Sequence, residues 1–470
     1  MNEKKSVFKA GIGYTIGNYL VKGINFLTIP IFARMLSVSE YGLYNIYVSY
    51  ESVLFVFMGL GISYSVKSAK LKYKSKVENY ISSCILLLLL NYIVVFVVLN
   101  ISYPLYNGIF NFSILILNIL IIHSLGSAMM MLYNSYVSLE YKYKEYVMLA
   151  LFNAILSVFI SIILIALQKT GQKYIGRIVG ASLPITIICI YVVFYFFKKK
   201  RPAISLNYWS YALKYGLPMI PHGLSVVILS QFDRIMISSM VGTSEAGVYS
   251  FAYNLYMIIS ITATSLDNAW GPWFFKKMDN KEYTVIRKGA SLYAFGMMVF
   301  TVVLMFLAPE IILALGGSQY KDSIYCVLPV IGGGYFAYLY TLPVQIEYYK
   351  ENTKMVALAS GLAATINVFL NYIFIRKYGY IAAAYTTFVT YILYFLFHWF
   401  VTRNMLYKEE KDIFSKKIMI FVSGSVVIGC FLALFLVEFT LIRWGIACVI
   451  LLGCCIKFKV FKMIQKRCIK

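Results

Sequence analysis

Residues 33–44 read ARMLSVSEYGLY and residues 238–249 read SSMVGTSEAGVY. At an offset of 205 positions Met35, Ser39, Glu40, Gly42 and Tyr44 recur as Met240, Ser244, Glu245, Gly247 and Tyr249. Lys9 and Gly11 match Lys214 and Gly216 at the same offset, so the segment marks an internal duplication. Both copies sit between long apolar runs, and fourteen such runs can be drawn: 11–32, 43–64, 80–101, 109–133, 147–168, 174–196, 213–240, 248–266, 289–315, 324–346, 355–375, 381–401, 418–437 and 442–461. At 1.5 Å per helical residue, each covers about 30 Å of hydrocarbon. The chain therefore reads as an all-α integral membrane protein with 14 transmembrane helices.

The two copies are six spans apart, and an even number restores orientation across the membrane. That makes the repeats parallel, related by a pseudo-two-fold axis along the membrane normal. The expected organisation is an N-terminal lobe over 1–200 (spans 1–6) and a C-terminal lobe over 201–405 (spans 7–12). An additional helix pair with a basic tail follows over 406–470 (spans 13–14). Two similar six-helix lobes leave a cavity between them, and opening it alternately to either side is how a transporter works. A duplicated scaffold without a cavity is the alternative. The repeated Ser-Glu-x-Gly-x-Tyr segment is itself explained by structure: Ser39 and Ser244 can cap a helix, Glu40 and Glu245 suit its positive end, and the glycines permit close approach.

Composition agrees with this fold class. Hydrophobic residues make up 61% of the chain and charged ones 13%, against about a quarter charged in soluble domains. The formal charge of +24 could point to nucleic acid, but the cations sit in short clusters between apolar runs. With the N-terminus inside, the tails and the connections assigned to the cytoplasm hold 32 Lys and Arg and the external ones 8. That asymmetry follows the positive-inside rule and puts both termini in the cytoplasm. Clusters such as Lys67, Lys70, Lys72, Lys74 and Lys76 then need only anionic membrane lipids as partners, and no nucleic acid.

The apolar run from Ala10 is interrupted by Lys22 and lacks a small-residue cleavage site, so it reads as the first span and not as a signal peptide. Cys84, Cys189, Cys326, Cys430 and Cys448 lie inside spans and Cys454 and Cys455 are adjacent. None of these spacings fits a zinc or thioredoxin-type site, and the cysteines are expected to be unpaired apolar side chains. No Walker A sequence occurs, and Gly11, Gly13 and Gly17 lie in a membrane helix, so neither a cofactor nor direct use of ATP is expected.

Polar groups at membrane depth are the candidate site. Thr15, Asn18, Lys22 and Asn25 share one face of span 1. A lysine near the bilayer centre costs roughly 2.5 to 3.5 kcal/mol on insertion scales, which favours a wet cavity for that face. Glu51 lies at matching depth in span 2 and is placed to pair with Lys22. In span 7, Asp233 and Arg234 point about 100° apart, so one can face the cavity while the other ties the helix to a neighbour. Of His123, His222 and His398, each expected to make a transmembrane hydrogen bond, His222 is singled out because Pro218 and Pro221 flank it in a helix expected to break.

The chain resembles the bacterial Wzx-type polysaccharide flippases of the multidrug, oligosaccharidyl-lipid and polysaccharide exporter superfamily. The segments that carry the resemblance are FARMLSVSEYGLY (32–44), KYGLPMIPH (214–222), QFDRIMISSMVGTSEAGVY (231–249), NAWGPWFF (268–275) and NVFLNYIFIRKYGYIAAA (367–384). The resemblance implies two lobes around a cationic cavity in a bacterial plasma membrane. It implies as substrate an undecaprenyl pyrophosphate bearing an oligosaccharide repeat, carried to the outer leaflet and handed to polysaccharide polymerase machinery. The cationic cavity positions carry over to Lys22 and Arg234, with Asn18 and Asn25 beside Lys22. The few cations at mid-depth in the first lobe depart from the strongly basic cavities of peptidoglycan-precursor flippases and count against that substrate. Proton or sodium coupling would run through Glu51 first and Asp233 second, with His222 a further candidate. The competing readings are a cation-coupled multidrug exporter of the same superfamily and a membrane scaffold.

Overall fold

Most apolar runs fold as one helix, even where a proline such as Pro184 lies inside, while a few are broken into two. In the computed structural model, which describes residues 2–407, 410 and 413–468, the helices are α1 (Asn2–Met35), α2 (Val38–Gly59), α3 (Ile62–Tyr73), α4 (Val77–Phe110), α5 (Ile114–Leu139), α6 (Tyr143–Leu167), α7 (Lys173–Lys199), α8 (Leu206–Gly216) and α9 (Met219–Met240). They continue with α10 (Thr243–Asp279), α11 (Tyr283–Gly316), α12 (Ile324–Leu339), α13 (Thr341–Tyr349), α14 (Thr353–Tyr378), α15 (Ile381–Met405), α16 (Lys416–Phe435) and α17 (Thr440–Cys468). Side chains are described for 13–108, 110–407, 410 and 413–454, so Lys9, Gly11, Cys455 and the basic tail lie outside them.

The protein is a multi-pass, all-α membrane protein. By length and apolarity 10 helical stretches among the described residues can cross a membrane, or 11 with α8 and α9 counted as one bent span. The 37-residue α10 is not among them, because Ser260, Thr262, Thr264, Ser265, Asp267 and Asn268 dilute its hydropathy. The α2–α3 break falls at Leu60 and Gly61, with φ of 47° and 63°. α8 and α9 meet at 44° across Leu217 and Pro218, where proline removes a helical hydrogen bond. The expected break beside His222 is therefore present.

The chain divides into two compact units, one ending at Gly247 and the other starting at Val248. In the first, α1 lies along α6, α7 packs on α5 and α6, and α2 packs on α5 and α9. Small residues bring these backbones close, as membrane helices require: a Cβ on Gly126 would stand 2.8 Å from the Ile185 carbonyl oxygen.

The two copies of the duplicated segment meet inside this unit. A Cβ on Gly42 would strike the Thr243 carbonyl oxygen, and one on Gly247 would strike the Val38 carbonyl oxygen. Since 42 and 247 are counterparts, as are 38 and 243, the contact is reciprocal, the signature of a local two-fold relation. Ser39 does not cap α2; Ser37 does, accepting from the Glu40 amide while the Glu40 carboxylate accepts from the Ser37 amide. The chain turns two residues earlier than the sequence reading placed it. That frees the Ser39 hydroxyl to bond Thr243 at 2.7 Å. The second copy has Gly242 at the cap position, so Ser244 lies within the first turn of α10.

In the second unit α12 packs on α15 and α11, α14 packs on α15, and α16 and α17 flank α11. Arg443, at the edge of the run 442–461 and counted among the eight external cations, is 1% exposed. It donates to both Glu310 oxygens at 2.6 and 2.9 Å and to the Phe306 and Leu436 carbonyls, which satisfies the fork of a buried guanidinium. Cys84, Cys189, Cys326 and Cys430 are free and buried, while Cys448 is free and exposed.

Candidate functional site

Along α5, His123, Ser127 and Asn134 recur at steps of four and seven, which puts them on one helical face. α2 brings Glu51, Ser52 and Phe55 against that face, and α6 contributes Asn153. Together they line a cavity of about 480 Å³ in the first unit. Ser127 donates to Glu51 Oε1 at 2.8 Å, and Tyr47 bonds His123 Nδ1 at 2.9 Å. The Oδ1 atoms of Asn134 and Asn153 are buried with no protein partner. Glu51, Asn134 and Asn153 thus line one space, and the two buried amide oxygens are acceptors left without a protein donor.

A second cavity of about 240 Å³ adjoins the first, sharing Phe55, Met131 and Val227. It is mostly apolar. Its polar members include His222, at the start of α9, and Ser63 and Tyr64 of α3.

The sequence candidates fall into three places. Glu51 and His222 line the two adjoining cavities. Lys22 is half-buried on α1, with Asn18 and Asn25 exposed beside it. Asp233 and Arg234 are buried in α9, 1% and 6% exposed, and Arg234 donates to the Ser230 carbonyl and to Gln231 Oε1 of its own helix at 2.7 and 2.8 Å.

The expected Lys22–Glu51 ion pair is not among the ion pairs of the described residues. The reason is packing: α1 lies mainly along α6, where Tyr146 donates to Asn18 Oδ1 at 2.8 Å, and Glu51 faces α5. Matching depth did not make span 2 the main neighbour of span 1.

Sequence reading missed Tyr47, Ser127, Asn134 and Asn153. The polar stripe along α5 was a usable signal; Asn153, a single amide in an apolar helix, gave none. It also left Glu347 in a connection, whereas Glu347 Oε1 lies 2.6 Å from His398 Nδ1 and both side chains are fully buried. His123 and His398 each make the hydrogen bond expected of them.

Residues 7–278 match the family model described as "Polysaccharide biosynthesis protein". A Haemophilus influenzae protein described as Lsg locus putative protein 1 is 23% identical over 378 residues, 77% of this chain and 90% of its own length. An uncharacterised membrane protein of Methanocaldococcus jannaschii is 21% identical over 453 residues, covering 90% of this chain and 89% of that one. Among solved structures, lipid II flippase MurJ in an inward closed conformation superimposes with a TM-score of 0.74 at 18% identity, covering 96% of this chain and 99% of the other. An inward-facing multidrug resistance MATE family transporter of the MOP superfamily gives 0.53 at 15% identity, covering 82% and 98%. The chain shares their fold.

Proposed function

The chain belongs to the polysaccharide biosynthesis protein family, and on that premise we propose that it is a flippase. Its substrate is an undecaprenyl-pyrophosphate-linked oligosaccharide repeat, moved from the cytoplasmic to the outer leaflet of a bacterial inner membrane by alternating access. The observation that carries this reading is the acceptor-lined cavity around Glu51 in a chain of this family. A diphosphate bearing sugars cannot cross hydrocarbon unaided, because its charges and hydroxyls would lose their hydration. The lipid tail can stay in the bilayer while the headgroup passes through a polar interior, so no covalent chemistry is needed. Amide and carboxylate oxygens such as those of Asn134, Asn153 and Glu51 accept from sugar hydroxyls.

The finer architecture belongs to the same proposal: 14 spans, lobes over 1–200 and 201–405 about a parallel pseudo-two-fold axis, an added pair over 406–470, and both termini cytoplasmic. The reciprocal Gly42 and Gly247 contact supports the axis. Lys22 and Arg234 serve the diphosphate, Asn18 and Asn25 flank Lys22, and Glu51 is the first coupling group, with Asp233 and His222 behind it. Since Arg234 is buried, its part requires a state in which α9 turns or shifts. The route ends with hand-over to polysaccharide polymerase machinery.

The test is export. Lys22→Ala combined with Arg234→Ala should abolish surface polysaccharide while membrane abundance stays near that of the parent, and normal export by the double variant would remove both cations from the mechanism. A cation-coupled drug exporter is the second reading, favoured by the Glu51 cavity, whose oxygens also suit a small cation. It requires that deleting the protein raise drug susceptibility and leave surface polysaccharide unchanged.

A further inference from the structure

α3 and α8 lie in and beside the basic connections 65–79 and 197–212, which the charge count assigns to the cytoplasm. Their ends enclose a cleft of about 620 Å³, with Lys72 and Tyr73 on one wall and Asn207, Ser210, Tyr211, Lys214 and Tyr215 on the other. The walls are fixed from behind. Gly61 and Gly216 touch backbone to backbone, so that a Cβ on Gly61 would lie 2.8 Å from the Gly216 Cα. The Tyr73 ring stacks on buried Tyr80 at 5.4 Å and meets Tyr208 edge-on at 4.8 Å.

Some cations of the connections assigned to the cytoplasm are already paired with carboxylates. Lys70, Lys142 and Lys199 pair with Glu140, Glu145 and Glu78, and in the second unit Lys277 and Lys350 pair with Glu282 and Glu410. Lys72 and Lys214 have no carboxylate within ion-pair distance among the described residues, and no acidic side chain lines the cleft. Lys72 is instead held over aromatic faces, its Nζ 4.2 Å from the Tyr211 centroid and 5.3 Å from that of Tyr73. Two ammonium groups without counter-charge, beside tyrosine faces, an amide and a hydroxyl, complement a phosphate joined to a sugar. Ammonium donors take phosphate oxygens, ring faces take the apolar face of a pyranose, and Asn207 and Ser210 take its hydroxyls.

The rim adds a lipid signature. Leu71 and Leu206, at 79% and 74% exposure, and Leu217 stand out beside the cleft, where a headgroup would give way to its hydrocarbon tail. The same helix pair ends at Gly61 and Gly216, next to the apolar cavity that carries His222. We propose that the cleft between α3 and α8 is a receiving site for a phosphate-bearing glycolipid headgroup, with Lys72 and Lys214 on the phosphate and Tyr211 and Tyr215 against the sugar. The identity of that lipid as transport cargo rests on the flippase reading.

The full-length protein in detergent, titrated with a radiolabelled polyprenyl diphosphate bearing one N-acetylhexosamine, tests the site directly. Lys72→Ala with Lys214→Ala should weaken binding about tenfold or more, and Lys72→Arg with Lys214→Arg should restore most of it. Tyr215→Leu, at an exposed position, should weaken the sugar-bearing lipid and leave the bare polyprenyl diphosphate unchanged. Parental affinity in a monodisperse double Ala variant would overturn the proposal, as would failure of the parent to bind. Equal competition by phosphatidylglycerol would overturn the glycolipid assignment, and equal competition by inorganic pyrophosphate would overturn any role for the lipid and sugar. Loss of binding in the variants of a protein whose deletion leaves polysaccharide export intact would sink the flippase reading and spare the site. Unaltered binding in variants of a protein required for export would do the reverse.

Discussion

Glu51 of the first unit has one serine hydroxyl against it and a cavity of about 480 Å³ in front of it. In the second unit Glu310 is clasped by Arg443, and Glu347 lies against His398 inside a ring of aromatics that includes Tyr340 and Tyr394. A carboxylate taken out of water costs several kcal/mol unless a partner offsets it. In the second unit Arg443 offsets that cost for Glu310 and His398 offsets part of it for Glu347, whose Oε2 is left without a partner, and these pairs hold α11 to α17 and α13 to α15. The first unit leaves Glu51 with Ser127 alone beside a cavity, and the buried amide oxygens of Asn134 and Asn153 without a protein donor. Acidity alone therefore does not set Glu51 apart from Glu310 and Glu347; the company of the carboxylate does.

The strongest way to break this contrast is Arg443→Ala, which strands Glu310 and two carbonyls. It should cost about 3–5 kcal/mol, the range for removing one partner of a buried pair, read as a loss of thermal stability in detergent. A loss below 1 kcal/mol would show that water reaches Glu310 easily. Gly42→Ala asks whether the first unit relies on uncharged backbone contact instead. A methyl group there has no space before the Thr243 carbonyl, and overpacking of this kind costs about 1–3 kcal/mol. A stable, export-competent Gly42→Ala protein would mean that the two copies of the segment can part without consequence.

Glu51→Gln keeps the shape of the side chain and can still accept from Ser127. It should change stability by less than about 1 kcal/mol yet lower export severalfold and flatten any dependence of leaflet transfer on an imposed proton or sodium gradient. Full export with an intact gradient response would remove Glu51 from coupling. The smallest effect belongs to Glu78, at the polar start of α4. Burial pushes its carboxyl up, but hydrogen bonds from Lys199 at 3.0 Å and Tyr136 at 2.8 Å outweigh burial and hold it below the ordinary carboxylate value. A lowered folded-state pKa adds stability that is complete above the unfolded value of about 4.3 and is lost as pH falls through the folded one. Glu78→Gln should thus cost under about 1 kcal/mol at neutral pH, and its unfolding temperature should converge on that of the parent in acid. A gap that widens in acid would reverse the sign assigned to this carboxyl.

The sequence by itself determined the class of the molecule. Runs of apolar residues long enough to span hydrocarbon leave a backbone no stable form but helix, because every amide must be satisfied within its own segment. The duplicated Ser-Glu-x-Gly-x-Tyr segment was equally legible, since only a repeated packing demand keeps glycine at both Gly42 and Gly247. Which helices became neighbours was decided only in three dimensions. Depth along a span is a one-dimensional quantity and gave Lys22 and Glu51 the same level, but side-chain fit laid α1 along α6 and turned Glu51 toward Ser127. The same holds for Asn153, Arg443 and Glu347, separated from their cavity or partners by up to 137 positions. Their roles come from contacts that close long loops, and local pattern carries no information about which loops close.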